Sequence, residues 1–374
     1  MQVEILTIGS ELLSGHTVNR NAAFLSRQLS LLGYVVSRHT VVPDDVSLIQ
    51  KAYREASERV SLMIVTGGLG PTIDDVTRQA LEPLFEKKSL LPNSMGTASG
   101  VFCEGPTSLL LLPGPPREME KMFIDKVSAL LQTKFPPLKP YCRLGCYLCL
   151  LREVEVNPFL EEMRQNNADV DIGIYPSQGL LFIEFCGSFE EKLREMAERL
   201  RSRFPTFYLG PLAIAPTVHQ ICIEQKKTMG LAESCSGGAI ASAITAMPGA
   251  SSYFLGSLVL YSNAWKERFL QISRSTLVEA GAVSFNIVEE MIQGIFRETD
   301  ADIAMAVSGL LGPCGGSKEK PVGTVYIGIA QRGEASDIGL LRAPLDRTTG
   351  IQWVVNTALG ALWRRLVHGA MTFS

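Results

Sequence analysis

Short, almost continuously apolar runs that alternate with helical stretches are the feature that most constrains this chain. VEILTIG, YVVSRHTVV, SLMIVTGG and SLLLLPG are separated by helical patterns around Asn21 to Leu32, up to about Arg59, and after Asp74. Strand and helix in alternation imply a parallel sheet covered on both faces, and strands buried on both sides read as unbroken apolar runs. A second series begins near Pro211 with QICIEQKK and continues through GLAESCSGG, FLGSLVLYS, ADIAMAVSG and GTVYIGIA. Between the two, VEVNPFLEEMRQ, GLLFIEFCG and EEKLREMAERLRSRF indicate a small mixed unit with a charged amphipathic helix. A chain of 374 residues also exceeds the size at which one core stops growing, about 250 to 300 residues. The expected class is therefore α/β, with a three-layer domain over residues 1–137, a small α+β domain over 138–210 and a second three-layer α/β domain over 211–374. A closing helix from about Gly350 to Val367, carrying Trp353, Leu359, Leu362 and Leu366, is predicted to cap the last sheet.

Composition removes several function classes. The net charge of -3 leaves no excess of Lys and Arg to neutralise a nucleic-acid backbone, so direct nucleic-acid binding is not expected. The N-terminal MQVEILTIGSELLSG lacks a basic segment followed by a long apolar stretch, and no run approaches the roughly 18 apolar residues of a spanning helix. A cytoplasmic protein with no membrane partner is expected. Eight cysteines, at 103, 142, 146, 149, 186, 222, 235 and 314, are too irregular for a disulfide scaffold. The spacing of Cys142, Cys146 and Cys149 resembles the cluster-binding run of radical enzymes that use S-adenosylmethionine. The surrounding CRLGCYLCLL reads instead as a buried strand, on which alternate residues point to opposite faces and three sulfurs do not converge.

In the first domain TGGLGPTIDD runs from a strand into a glycine-rich turn, with a helix expected to start near Asp74. Backbone N–H groups of Gly67, Gly68 and Gly70, with Thr72, suit a phosphate. Asp74 and Asp75 either cap the helix or hold a divalent cation. Similar turns follow at NSMGTASG and LLPGPPREM.

In the last domain Ser234 lies at a strand-to-helix turn, followed by Cys235, Ser236, Gly237 and Gly238. There its hydroxyl can face a pocket while adjacent N–H groups and the helix dipole stabilise an oxyanion, or it can serve simply as an N-cap. None of the four histidines, His16, His39, His219 and His368, falls in a motif of this domain, which argues against a Ser-His-Asp triad. Lys266, closing YSNAWK, can replace histidine as base if burial lowers its pKa; as an arbitrary lysine it would be a solvated helix residue. Cys235 is a rival nucleophile if its thiol ionises readily. The turn GPCGG, with Gly315 and Gly316, lets backbone approach a ligand beside Lys318 and Lys320.

GSELLSG, GGLGPTIDD, GTASG and LPGPPREM, followed by AESCSGG, PGASSYF, YSNAWK, GAVS and SGLLGPCGGSKEKPVGTVYIGIA, resemble the CinA family in order and nearly throughout. That resemblance implies a molybdopterin-binding-like N-terminal domain and a C-terminal domain that deamidates nicotinamide mononucleotide without a cofactor. It assigns Ser234 as nucleophile, Lys266 as base, Tyr261 as relay or orienting hydroxyl, and Ser308 as a supporting hydroxyl where relatives often carry Thr. Arg347 matches an arginine suited to the substrate's phosphate. A small-molecule nucleotide substrate and a homodimer are also implied. For the N-terminal domain the family implies an ADP-ribose pyrophosphatase dependent on Mg2+, Mn2+ or Co2+, and its name suggests a non-catalytic role in competence or DNA repair. The segment between Phe85 and Gly96, EKKSLLPNSM, is shorter than the family's, which predicts a nucleotide pocket lacking part of its wall.

Overall fold

The computed structural model describes residues 1–136 and 142–369. The chain is α/β and forms two compact units, Met1–Cys142 and Arg143–Ser374. The expected boundary between residues 137 and 138 lies outside the described residues.

In the first unit the strands are β1 (Gln2–Ile8), β2 (Val35–Val42), β3 (Leu62–Thr66), β4 (Lys87–Leu91), β5 (Gly100–Glu104) and β6 (Ser108–Leu112), in sheet order β2-β1-β3-β6-β5-β4. The four apolar runs of the sequence are the parallel strands β2, β1, β3 and β6. Val3, Ile5, Leu62, Ile64, Leu110 and Leu112 pack under Phe24, Leu25, Leu29, Phe123 and Leu131. Leu6, Ile8, Met63, Val65, Leu109 and Leu111 pack on the other face, against Ile49, Ala56 and Leu81. Alternation of side chains along each strand thus produces the three layers. The sheet is mixed rather than wholly parallel, because β5 and β4 add to β6 in antiparallel fashion. The stretch expected to be a bare connector supplies β4, an edge strand whose KKSLL is almost entirely exposed. An edge strand with no buried face carries no apolar signature. The helix expected near Asp74 begins at Thr77.

The second unit holds two sheets. The first comprises β7 (Cys142–Cys149), β8 (Asp171–Ser177), β9 (Leu180–Gly187) and β10 (Tyr208–Gly210), in order β10-β7-β9-β8. Cys142 and Cys146 share one face of β7 and Cys149 points to the other, so the three sulfurs do not converge. Burial pushes the Cys146 and Cys149 thiols up to about 12, as befits core residues.

The second sheet comprises β11 (Met229–Glu233), β12 (Phe254–Val259), β13 (Ile303–Gly309), β14 (Thr324–Gln331) and β15 (Asp337–Arg342), in order β12-β11-β13-β14-β15. β12, β11 and β13 are parallel, and β14 and β15 extend the sheet antiparallel. QICIEQ is not a separate element but the end of the helix Ile214–Gln225. Ile303, Met305 and Val307 face that helix and the closing helix Arg347–His368, through Val218, Val354, Leu359 and Leu362. Ala304 and Ala306 face the helix Phe285–Glu298 through Ile287, Val288, Met291 and Ile292. Small residues are required on that face: a Cβ on Gly328 would lie 2.5 Å from Val288 Cγ1 and 2.8 Å from Ile292 Cδ1. Among the described residues no helix is long and apolar enough to cross a membrane.

Candidate active site

The parallel strands β12, β11 and β13 end on the same side of their sheet, where open α/β folds place their ligands. Ser234 directly follows β11, its N–H donating to Val307 O at 3.1 Å. Beside it, Leu260 N–H donates to Glu233 O at 2.7 Å, tying the end of β12 to the end of β11. The chain then turns at Ser262, whose hydroxyl caps the helix Asn263–Leu270. That helix carries Lys266 inward. Lys266 is 1% exposed, and its Nζ donates to Leu260 O at 2.7 Å and to Ser234 Oγ at 3.1 Å. Burial holds its pKa below the usual lysine value of 10.5, with a smaller opposing effect from Cys235. The solvated-helix alternative for Lys266 therefore does not apply. A buried amine within hydrogen-bond reach of a hydroxyl is the arrangement by which a serine is activated without histidine.

Cys235 sits beside Ser234, but burial pushes its thiol up to about 12. At neutral pH it stays protonated and a poor nucleophile.

Glu233, which sequence reasoning passed over, is the other charged group at this turn. It is 1% exposed. Its Oε2 accepts from Ser236 Oγ at 2.8 Å and from the N–H groups of Gly238 and Ile240, each at 3.1 Å. Its Oε1 accepts from Ala241 N–H and Ser257 Oγ, each at 2.9 Å. Three N–H groups at the start of the helix Ala239–Thr245 are thereby spent on an internal carboxylate. These three N–H groups are therefore not free for an oxyanion, since each N–H donates once. Gly237 and Gly238, at φ 63 and 94, form the left-handed turn that lets the chain wrap around Glu233.

A cavity of about 170 Å3 is lined by Ser234, Cys235, Tyr261, Lys266, Ser308 and Arg347, together with residues 282–283 and 309–311. Ser308 Oγ donates to Ala282 O at 2.7 Å, pinning one wall. Arg347, at the exposed start of the closing helix, donates from Nη1 to Leu311 O at 2.6 Å and Gly312 O at 3.2 Å, and from Nη2 to Tyr261 Oη at 2.7 Å. Five of the sequence-predicted residues, Ser234, Lys266, Tyr261, Ser308 and Arg347, thus meet around one space. Gly237, Gly238, Gly315 and Gly316 are not among its lining residues. Lys320 reaches the neighbouring segment, donating to Ala280 O at 2.5 Å.

In the first unit a cavity of about 340 Å3 is lined by Gly67, Gly68, Asp74 and Asp75 among others, but not by Gly70 or Thr72. Gly67 N–H is already bound to Leu112 O. Asp75 closes its own turn by accepting from the Thr72 N–H and hydroxyl, and these bonds outweigh its partial burial to lower its pKa. The carboxylates of Glu11, Asp44, Asp74 and Asp75 share this wall with one cationic side chain, Arg20. Among the described residues no three His, Cys, Asp or Glu side chains converge as a metal site. A wall rich in carboxylates repels a bare phosphate unless a divalent cation lies between them.

Comparison with known proteins then places the chain. The profile of the CinA C-terminal domain matches residues 212–366, and that of a probable molybdopterin binding domain matches residues 4–133. A CinA-like protein of Endomicrobium trichonymphae is 33% identical, over 98% of this chain and 99% of that protein. The chain belongs to the CinA family. A putative competence-damage inducible protein of Moorella thermoacetica is 34% identical, again over 98% of this chain and 99% of its own length. The two alignments run over 429 and 420 positions, more than the 374 residues of this family member. The relatives therefore hold segments that it lacks. Among solved structures, a CinA superfamily protein from Klebsiella pneumoniae is 33% identical and covers 41% of this chain and 96% of its own, with a TM-score of 0.40.

Proposed function

We propose that the C-terminal cavity hydrolyses the carboxamide of nicotinamide mononucleotide to nicotinic acid mononucleotide and ammonia. The observation that carries this reading is the buried Lys266 Nζ, 3.1 Å from Ser234 Oγ in a cavity that also holds Tyr261 and Arg347. Neutral Lys266 takes the Ser234 proton as Oγ attacks the carboxamide carbon, then returns it to the departing nitrogen, which leaves as ammonia. Water attacks the resulting ester as Lys266 accepts its proton and passes it to Ser234 Oγ when the ester bond breaks, which releases the acid product and restores the serine. Tyr261, whose Oη accepts from Arg347 at the exposed rim, is the relay or orienting hydroxyl in this reading.

The size of the cavity supports a division of the substrate. About 170 Å3 admits a planar ring with its carboxamide beside Ser234, with the ribose and phosphate directed outward. Those parts lie toward the rim, where Arg347 supplies positive charge. The test is ammonia release from nicotinamide mononucleotide with and without EDTA. The expected result is turnover that EDTA leaves unchanged. No turnover by a folded protein, or turnover lost in EDTA and restored by Mg2+, contradicts the proposal.

A further inference from the structure

Glu233 makes five hydrogen bonds with no solvent access, yet it has no place in the proton transfers assigned to Ser234 and Lys266. Its five donors all belong to the turn and helix that follow Ser234 or to β12, which leads to Lys266. Its own carbonyl accepts from Leu260 N–H, and Leu260 O in turn accepts from Lys266 Nζ. One residue therefore touches both the segment that carries the nucleophile and the segment that carries the base.

We infer that Glu233, as a carboxylate, is the positioning residue that sets the Ser234 hydroxyl against Lys266. This inference rests on the serine-lysine reading of the site but not on the identity of the substrate. An acceptor oxygen is needed at both positions, because three of the five partners are backbone N–H groups that cannot reverse. A glutamine keeps the size but brings an NH2 group in place of one oxygen. Turned toward Ser257 and Ala241, that NH2 can be accepted by the rotating hydroxyl of Ser257 but meets the Ala241 N–H donor to donor. Turned the other way it opposes two N–H groups, those of Gly238 and Ile240. In either setting the turn must shift, and a displacement on the order of 1 Å at a reacting atom can cost about a hundredfold in rate.

The experiment measures Ser234 in two ways. A fluorophosphonate, whose phosphorus is attacked by an activated serine Oγ with loss of fluoride, reports nucleophile activation without any natural substrate. Peptide mass spectrometry locates the adduct. Steady-state deamidation of nicotinamide mononucleotide then separates kcat from KM. Glu233→Gln is expected to label Ser234 roughly a hundredfold more slowly and to lower kcat by a similar factor, with KM changed less than about threefold. Ser236→Ala and Ser257→Ala, each removing one donor and leaving the carboxylate, serve if Glu233→Gln does not fold; each is expected to slow labelling about three- to tenfold. In Glu233→Ala, added formate is expected to restore part of the labelling rate by supplying a carboxylate to the same N–H groups. Wild-type labelling speed in a folded Glu233→Gln, or in both serine variants, overturns the inference. Slow labelling of the variants alongside fast labelling of a wild type that ignores nicotinamide mononucleotide upholds Glu233 and refutes only the substrate.

Discussion

If Ser234 and Lys266 act as one device, removing both should cost little more than removing either. Lys266 Nζ has two hydrogen-bond partners here, Ser234 Oγ and the carbonyl of Leu260. Its only catalytic contact is thus with the serine. A positioned base contributes about 10² to 10⁴ in rate, and a thousandfold loss corresponds to about 4 kcal/mol at ~1.36 kcal/mol per decade. Independent contributions of that size would sum to about a millionfold in the double variant, whereas a coupled pair stays near a thousandfold. Nicotinic acid mononucleotide formation should be timed under single-turnover conditions for wild type, Ser234→Ala, Lys266→Met and the combination, with folding checked by circular dichroism. The pH profile supplies the sign. Only neutral Lys266 accepts a proton, so the wild-type rate should climb about tenfold per pH unit and level off at a pH below 10.5, since burial lowers this pKa. Additive losses in the double variant, or a rate that falls as pH rises through this range, would refute the coupling.

Four further outcomes follow from the same contacts. Cys235→Ala should keep at least half the wild-type rate, and Cys235 in the native protein should resist iodoacetamide at neutral pH, because its thiol is pushed up to about 12. The depressed pKa of Lys266 means that the unfolded chain binds the extra proton between the folded pKa and 10.5. Folding stability should therefore rise with pH across that window, and urea titrations of Lys266→Met should show a flatter dependence. Gly328→Ala should cost about 1–3 kcal/mol in urea unfolding, because the new methyl meets Val288 and Ile292. Hydrolysis of ADP-ribose with Mg2+, Mn2+ or Co2+ should be absent or very weak; turnover abolished by both Asp74→Asn and Asp75→Asn would show that the first unit assembles a working metal site.

Much of this was legible in the sequence where burial leaves a pattern. VEILTIG, SLMIVTGG and SLLLLPG sit in the middle of a covered sheet, so they read as unbroken apolar runs and fold as β1, β3 and β6. The resemblance of the C-terminal motifs to the CinA family brought Ser234, Tyr261, Lys266, Ser308 and Arg347 into view before the structure placed them on one cavity. β4 left no such trace, since its Lys-Lys-Ser start lies at an exposed edge. Ile214–Gln225 was harder to place because QICIEQ carries a short unbroken apolar run like that of a buried strand while lying on a helix. Glu233 escaped for a different reason. A glutamate at a strand end looks like a solvated residue, and its five donors come from residues 3, 5, 7, 8 and 24 positions away. Their convergence depends on the turn and on strand pairing, neither of which spacing alone specifies. In the glycine-rich turn expected to cradle a phosphate, strand pairing occupies the N–H of Gly67, an engagement that no local spacing announces.

The most direct test of the central claim is to stop the reaction with acid during steady-state turnover of nicotinamide mononucleotide and to search the digested protein for a covalent adduct. The expected result is the acyl group of nicotinic acid mononucleotide on the peptide containing Ser234, present in wild type and Cys235→Ala and absent from Ser234→Ala. An adduct on Cys235, or ammonia release that continues undiminished in Ser234→Ala, would contradict it.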